Sequence, residues 1–152
     1  MALQSRKRFS IGIACLVLFA TLGFASDHHS LNGTWTMIPS QGEYEGQPVI
    51  QSGTVTINDR DHNIYISRNF TYDGANESVS YKFSTDGSEN ATIRNGKTFK
   101  SKARWDDRVL KVTTTEDNST TVERYNLQDD GTMMLLVERP SHKTMTLLFH
   151  RQ

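Results

Sequence analysis

Residues 96–115, GKTFKSKARWDDRVLKVTTT, alternate in side-chain character on both sides of a short acidic break. Phe99, Ser101, Ala103 and Trp105 share one parity; Thr98, Lys100, Lys102 and Arg104 share the other. After Asp106-Asp107 the alternation restarts, with Leu110, Val112 and Thr114 set against Val109, Lys111 and Thr113. A period of two across a tight polar turn describes a β-hairpin with one buried face. The same signature recurs over residues 31–38, 54–57, 64–72, 78–84 and 91–94, and again over 98–105, 109–115, 121–127, 133–138 and 144–150. These runs are rich in Val, Ile, Thr, Tyr and Phe, which suit a pleated, half-buried surface.

Turn chemistry separates the runs. It lies at Asn58-Asp59-Arg60-Asp61, Asp73-Gly74, Asp86-Gly87, Asn95-Gly96, Asp106-Asp107, Asp129-Asp130-Gly131 and Pro140-Ser141. Asn-Gly and Asp-Gly tolerate the positive φ of tight hairpin turns. No segment carries a helical stripe of about 10 residues or more. The one long connection, residues 39–52, is punctuated by Gly42, Gly46 and Pro48. The expected fold is all-β: an antiparallel up-and-down meander of eight to ten strands closing into a barrel or partly open clam, the closure that best disposes of sheet edges. A Greek-key sandwich of immunoglobulin type is the rival; it needs longer crossovers, and its usual cysteine pair is absent.

Residues 1–26 break the pattern. Ser5-Arg6-Lys7-Arg8 is basic, residues 11–25 are apolar, and Ala25-Ser26 are small residues before Asp27-His28-His29. That layout is a cleaved secretory signal peptide, which makes the protein periplasmic or secreted and residues 27–152 a single β-barrel domain. A membrane anchor needs roughly 20 apolar residues, more than this run supplies with Gly12 and Gly23 inside it. The run also continues well past Cys15, which argues against lipid attachment there. Cys15 is the chain's one cysteine, so the mature domain has no disulfide and rests on its core. Without Arg6, Lys7 and Arg8, the 17 basic residues fall to 14 against 17 acidic. That balance offers no electrostatic reason to expect nucleic acid or an anionic membrane as partner. Five Asn-x-Ser/Thr sequons, at Asn32, Asn69, Asn76, Asn90 and Asn118, are glycan acceptors in a eukaryotic secretory pathway and otherwise reflect Asn, Ser and Thr richness.

Leu31-Asn32-Gly33-Thr34-Trp35 opens the first strand. A Gly-x-Trp there resembles the calycins: lipocalins, fatty-acid-binding proteins and avidins. Residues 96–151 resemble, turn for turn, the C-terminal meander of the fatty-acid-binding proteins. The chain departs from those families in its short, glycine-containing 39–52 connection, which is no helical lid, and in having neither a lipocalin's C-terminal helix nor its disulfide. The resemblance implies a barrel fold and, by analogy, binding of a small apolar, amphipathic or fatty-acid-like molecule. It also implies that Trp35 plugs the closed end, with Arg151 or His150 lying over it.

Arg68 follows Ile64 and Ile66 on one parity and precedes Phe70 and Tyr72. A guanidinium on an inner face must be paired or hydrated. Fatty-acid-binding proteins hold a ligand carboxylate with interior arginines, and Arg68 resembles that usage. The alternatives are a β-bulge near Ser67 that turns it outward, or a structural pair with an acid such as Glu123. Tyr81 and Tyr125, also on inward parities, either point hydroxyls into a cavity or pack in the core. Trp105 either lines a pocket mouth or caps the core. The expected ligand-binding set is therefore Arg68, Tyr81, Ser101, Ala103, Trp105 and Tyr125. Gly33, Ala91, Ser101 and Ala103 are the small residues expected to leave room inside, while Trp35, Met37, Phe70, Tyr81, Phe83 and Leu110 fill it.

Catalytic and metal signatures are lacking. Asp59-x-Asp61-x-Asn63 begins like a calcium loop, but Ile64 replaces the required glycine and Phe70 stands where the bidentate glutamate belongs. His28-His29, His62, His142 and His150 show no ligand spacing, and no nucleophile elbow, zinc-protease motif or phosphate loop occurs. The expectation is a non-enzymatic binding protein with no metal or cofactor. The competing expectation is a structural or protein-interaction β-domain with a filled core.

Overall fold

Each alternating run forms a strand in the computed structural model, which describes residues 28–94 and 96–152. The expected signal segment, residues 1–26, lies outside the described residues. The strands are β1 (Gly33–Met37), β2 (Ser52–Arg60), β3 (Asn63–Tyr72), β4 (Ala75–Ser84), β5 (Asn90–Arg94), β6 (Lys97–Asp106), β7 (Val109–Glu116), β8 (Ser119–Leu127), β9 (Met133–Glu138) and β10 (Met145–Arg151). They form one ten-stranded antiparallel sheet in the order β4-β3-β2-β1-β10-β9-β8-β7-β6-β5. Apart from the β1–β10 seam, paired strands are sequence neighbours, so the Greek key is excluded. The seam pairs Trp35 with Arg151 and Met37 with Phe149. Among the described strands, β4 and β5 alone each keep an unpaired edge, which leaves a nearly closed barrel with a single break in its wall.

Two-residue hairpin loops set the register. Arg60 pairs with Asn63, Tyr72 with Ala75, Asp106 with Val109 and Glu116 with Ser119. Asp61, His62, Gly74, Asp107 and Asp117 adopt the positive φ that such loops demand. Two turns therefore differ from the sequence reading. The first is narrower, because β2 continues through Asn58 and Asp59 to Arg60. The other sits one residue later, on Asp107-Arg108. β2 is prolonged by an amide: Asn32 Oδ1 accepts from Asp59 N at 2.7 Å, and its Nδ2 donates to Asp59 O at 3.2 Å.

Inward parities supply the core. Trp35, Val55, Ile57, Ile64, Ile66, Phe83, Leu110, Val112, Tyr125, Met133, Leu135, Leu147 and Phe149 are all buried. Gly53 sits beside Phe70, whose ring stands where a Cβ would be, at 2.4 Å. Phe70 in turn stacks with Phe149 at 6.5 Å between centroids. Ala91 contradicts the small-residue argument: it pairs with Lys100, on the outward parity of β6, and is exposed.

Residues 38–51 cover one end of the barrel without a helical lid. They hold only the 3₁₀ turn Pro39–Gln41. Backbone bonds in both directions tie Glu43 to Thr146, Gln47 Nε2 donates to Lys143 O at 3.0 Å, and Ile50 is buried. At the other end, Trp35 Nε1 donates to Leu31 O at 2.9 Å, and the Arg151 guanidinium lies 4.3 Å from the Trp35 ring centroid. Arg151 also donates to Ser30 O at 2.5 Å and to Asn32 O. This stack requires Gly33: its φ is +133°, and a Cβ there would stand 2.8 Å from Arg151 Nη1. Gly33→Ala is expected to lower stability by about 1–3 kcal/mol in urea unfolding. Gly131→Ala, at a turn with open space around it, should cost less.

Candidate functional site

The break between β4 and β5 is stitched at one end. Asn90 Nδ2 donates to Lys82 O at 3.0 Å across the break. Trp105 Nε1, on β6, donates to Asp59 Oδ2 on β2 at 2.8 Å. Farther along β4, residues 75–78 are exposed on both parities. Between these limits lies a cleft of about 330 Å³. Its inner wall is Tyr81, Phe83, Phe99, Ser101 and Thr114; Asn90 and Thr92 flank it on β5, and Ser80 and Lys82 form its outer lip. Tyr81 and Phe83 stack at 5.6 Å, and the Ser101 and Thr114 hydroxyls meet at 3.1 Å. Larger surface grooves exist, of about 610 and 530 Å³, but charged turn residues and outward lysines and arginines wall them. Of these three, the cleft alone presents several inward aromatic side chains with a few hydroxyls, the mixture expected of a small-molecule site.

Behind Tyr81 is a polar cluster. The β2–β3 register runs unbroken through Ser67, so no bulge turns Arg68 outward. Arg68 instead reaches across the interior from β3 to β8 and forms an ion pair with Glu123, the two side chains 13% and 12% exposed. Its other terminal nitrogen donates to the Tyr81 hydroxyl at 3.0 Å, and Tyr125 Oη donates to Glu123 Oε2 at 3.2 Å. The guanidinium carbon lies 5.2 Å from the Tyr81 ring centroid and 5.9 Å from that of Phe70. Burial, the largest single influence, works against the Arg68 charge, but Glu123 together with Tyr125 and Tyr81 outweighs it and holds the guanidinium protonated well above its ordinary range. Burial, and then the negative charge of Glu123, pushes the Tyr125 phenol up, so it remains a neutral donor.

Of the six residues predicted to bind, Tyr81 and Ser101 wall the cleft, while Arg68 and Tyr125 stand behind it in the polar cluster. Ala103 is fully buried in the core. Trp105 is half-buried beside Asp59. Phe99, on the β6 face that the alternation marks as buried, also walls the cleft; Phe83, Thr114 and Asn90 were not among the predicted binding residues, although each lies on an inward parity. Among the described residues no group of three or more His, Cys, Asp or Glu side chains is placed to hold a metal ion. No described helix is long and apolar enough to cross a membrane.

No protein-family model matches the chain, and no curated protein matches it in sequence. Solved structures do match its fold. A secretory abundant heat soluble protein from Ramazzottius varieornatus superposes with a TM-score of 0.64 at 16% identity, over 81% of this chain and 96% of that one. Echinococcus granulosus fatty-acid-binding protein 1 gives 0.59 at 11% identity, over 81% and 98%. A Schistosoma mansoni fatty acid binding protein in complex with arachidonic acid gives 0.58 at 18%, over 81% and 96%. The chain therefore shares the calycin-like β-barrel fold of these structures.

Removing one member of the buried ion pair strands the other. Arg68→Met is expected to destabilise the protein by about 3–5 kcal/mol in chemical denaturation, and the double change Arg68→Met with Glu123→Leu to recover most of that loss.

Proposed function

We propose that this protein is an exported, non-enzymatic barrel that binds a small apolar or amphipathic molecule, taken up through the cleft between β4 and β5–β6. The observation that carries the reading is the coincidence of the break with the cleft: where the ladder stops, inward aromatic and hydroxyl side chains line a ligand-sized space. The fold neighbours agree in kind, since two of them are named as fatty-acid-binding proteins. Because residues 38–51 are bonded to β10 and to the turn before it, entry is assigned to the cleft. Tyr81 and Phe83 would pack the chain of the ligand, with Ser101 and Thr114 supplying polar contacts.

The filled-core alternative draws on a specific observation, the ion pair that crosses the interior. Titration separates the two readings. A C10 alcohol should bind saturably and perturb Trp105 fluorescence. Ser101→Phe, which fills the cleft from its inner wall, should weaken that binding at least tenfold while leaving the melting temperature within a few degrees. Absence of saturable binding by the wild-type protein would favour the interaction-domain reading.

Export rests on the basic and apolar pattern of residues 1–26. Mass spectrometry of the exported protein should find a chain beginning within a few residues of Asp27. An intact apolar segment on that protein would count against the assignment.

A further inference from the structure

We propose that Arg68, Tyr81 and Tyr125 form an anion-binding site inside the barrel that is already occupied by the protein's own Glu123. The ligand end reaching Tyr81 is therefore uncharged, an alcohol, ester or ketone rather than a carboxylate. The statement about the ligand rests on the cleft being the binding site; the statement about Glu123 does not.

The geometry is that of a receptor with its guest in place. Glu123 presents one carboxylate oxygen to Arg68 and the other to the Tyr125 hydroxyl at 3.2 Å. Arg68 spends its second terminal nitrogen on Tyr81 at 3.0 Å, and aromatic rings lie near its guanidinium at 5.2 and 5.9 Å. Both charged side chains are almost wholly withdrawn from water. A guanidinium so placed would attract any carboxylate that reached it, because charge-assisted bonds strengthen in a poorly solvated site. Glu123 satisfies that attraction permanently.

Tyr81 is the residue common to the cleft and this cluster. A ligand carboxylate arriving at Tyr81 would meet a cation already neutralised and, behind it, the fixed negative charge of Glu123. It would lose its own hydration and gain no counter-ion, a combination that buried sites reject. An uncharged oxygen loses far less on entry. Selection here works by repulsion as much as by attraction.

Glu123→Gln keeps the shape and removes the negative charge. Decan-1-ol and decanoate should be titrated into the wild-type protein and E123Q at neutral pH, with Trp105 fluorescence as readout and circular dichroism as a check on folding. The wild type should bind decan-1-ol at least tenfold more tightly than decanoate. E123Q should gain at least tenfold for decanoate with little change for the alcohol. Equal wild-type affinity for acid and alcohol, or no gain by E123Q, would overturn the proposal. If neither protein binds decan-1-ol, the cleft reading fails by itself. Acetate then decides the remainder: saturable thermal stabilisation of E123Q, and not of wild type, supports a masked anion site, and its absence rejects one. Should E123Q not fold, the double variant Arg68→Met with Glu123→Leu replaces it. Having no anion site, it should still prefer the alcohol, and a preference for decanoate over decan-1-ol in that variant would defeat the assignment.

Discussion

One ion pair crosses the barrel from wall to wall. Arg68 on β3 and Glu123 on β8 are separated in the sheet by β2, β1, β10 and β9, yet their side chains meet in the interior. Taking two such charges out of water costs several kcal/mol for each, and their attraction offsets this only where the geometry is good and the remaining polar atoms are satisfied. Tyr81 and Tyr125 supply the additional bonds. The pair thus acts as a brace whose length holds opposite walls at a set distance. On its flanks, Phe70 lies near the guanidinium and stacks with Phe149, while Tyr81 links the pair to the cleft.

The brace and the break in the wall are complementary. The β1–β10 seam is continuous, and over it Arg151 fixes Trp35 with a cation–π contact and two backbone carbonyls. Such contacts contribute on the order of 0.5–2 kcal/mol and make that side of the barrel a closed wall. Between β4 and β5 the described strands form no ladder. The Asn90–Lys82 and Asp59–Trp105 bonds close the break at one end only. Any widening must occur at the other end, where residues 75–78 contribute little to the core. An unpaired edge is an aggregation hazard unless it carries charge or is very short. Here β5 has five residues, and β4 presents Glu77 and Lys82, both exposed.

Much of this was legible in the sequence, because a period of two is read residue by residue. The ten strands, their antiparallel order and the inward positions of Arg68, Tyr81 and Tyr125 all follow from parity and turn chemistry. Parity carries no distance, however. It places Glu123 inside but is silent on how far across the interior it reaches, so the Arg68–Glu123 pair stood only as one alternative for Arg68. Asp59 was hidden differently. Residues 58–61 read as a turn, but Asn58, Asp59 and Arg60 pair with Tyr65, Ile64 and Asn63 on β3, and the long-range amide of Asn32 bonds both backbone groups of Asp59. Ala91 shows the converse limit: on a five-residue edge strand, too few alternations exist to fix which side faces in.

A calycin-type fold by itself says little about what is bound, since barrels of this kind differ from one another mainly in the side chains they turn inward. Here the decisive inward residue is the glutamate. A buried arginine alone would mark the interior as a place for anions. Paired with Glu123, the same arginine makes the interior electrically neutral while remaining rich in hydrogen bonds, a surface suited to an uncharged polar atom on an apolar body. The core packing, the brace and the one-sided opening then converge. The cleft lies beside the break, the ion pair stands behind Tyr81, and Tyr81 belongs to both. On the proposed reading, chemistry at Tyr81 governs what the barrel accepts.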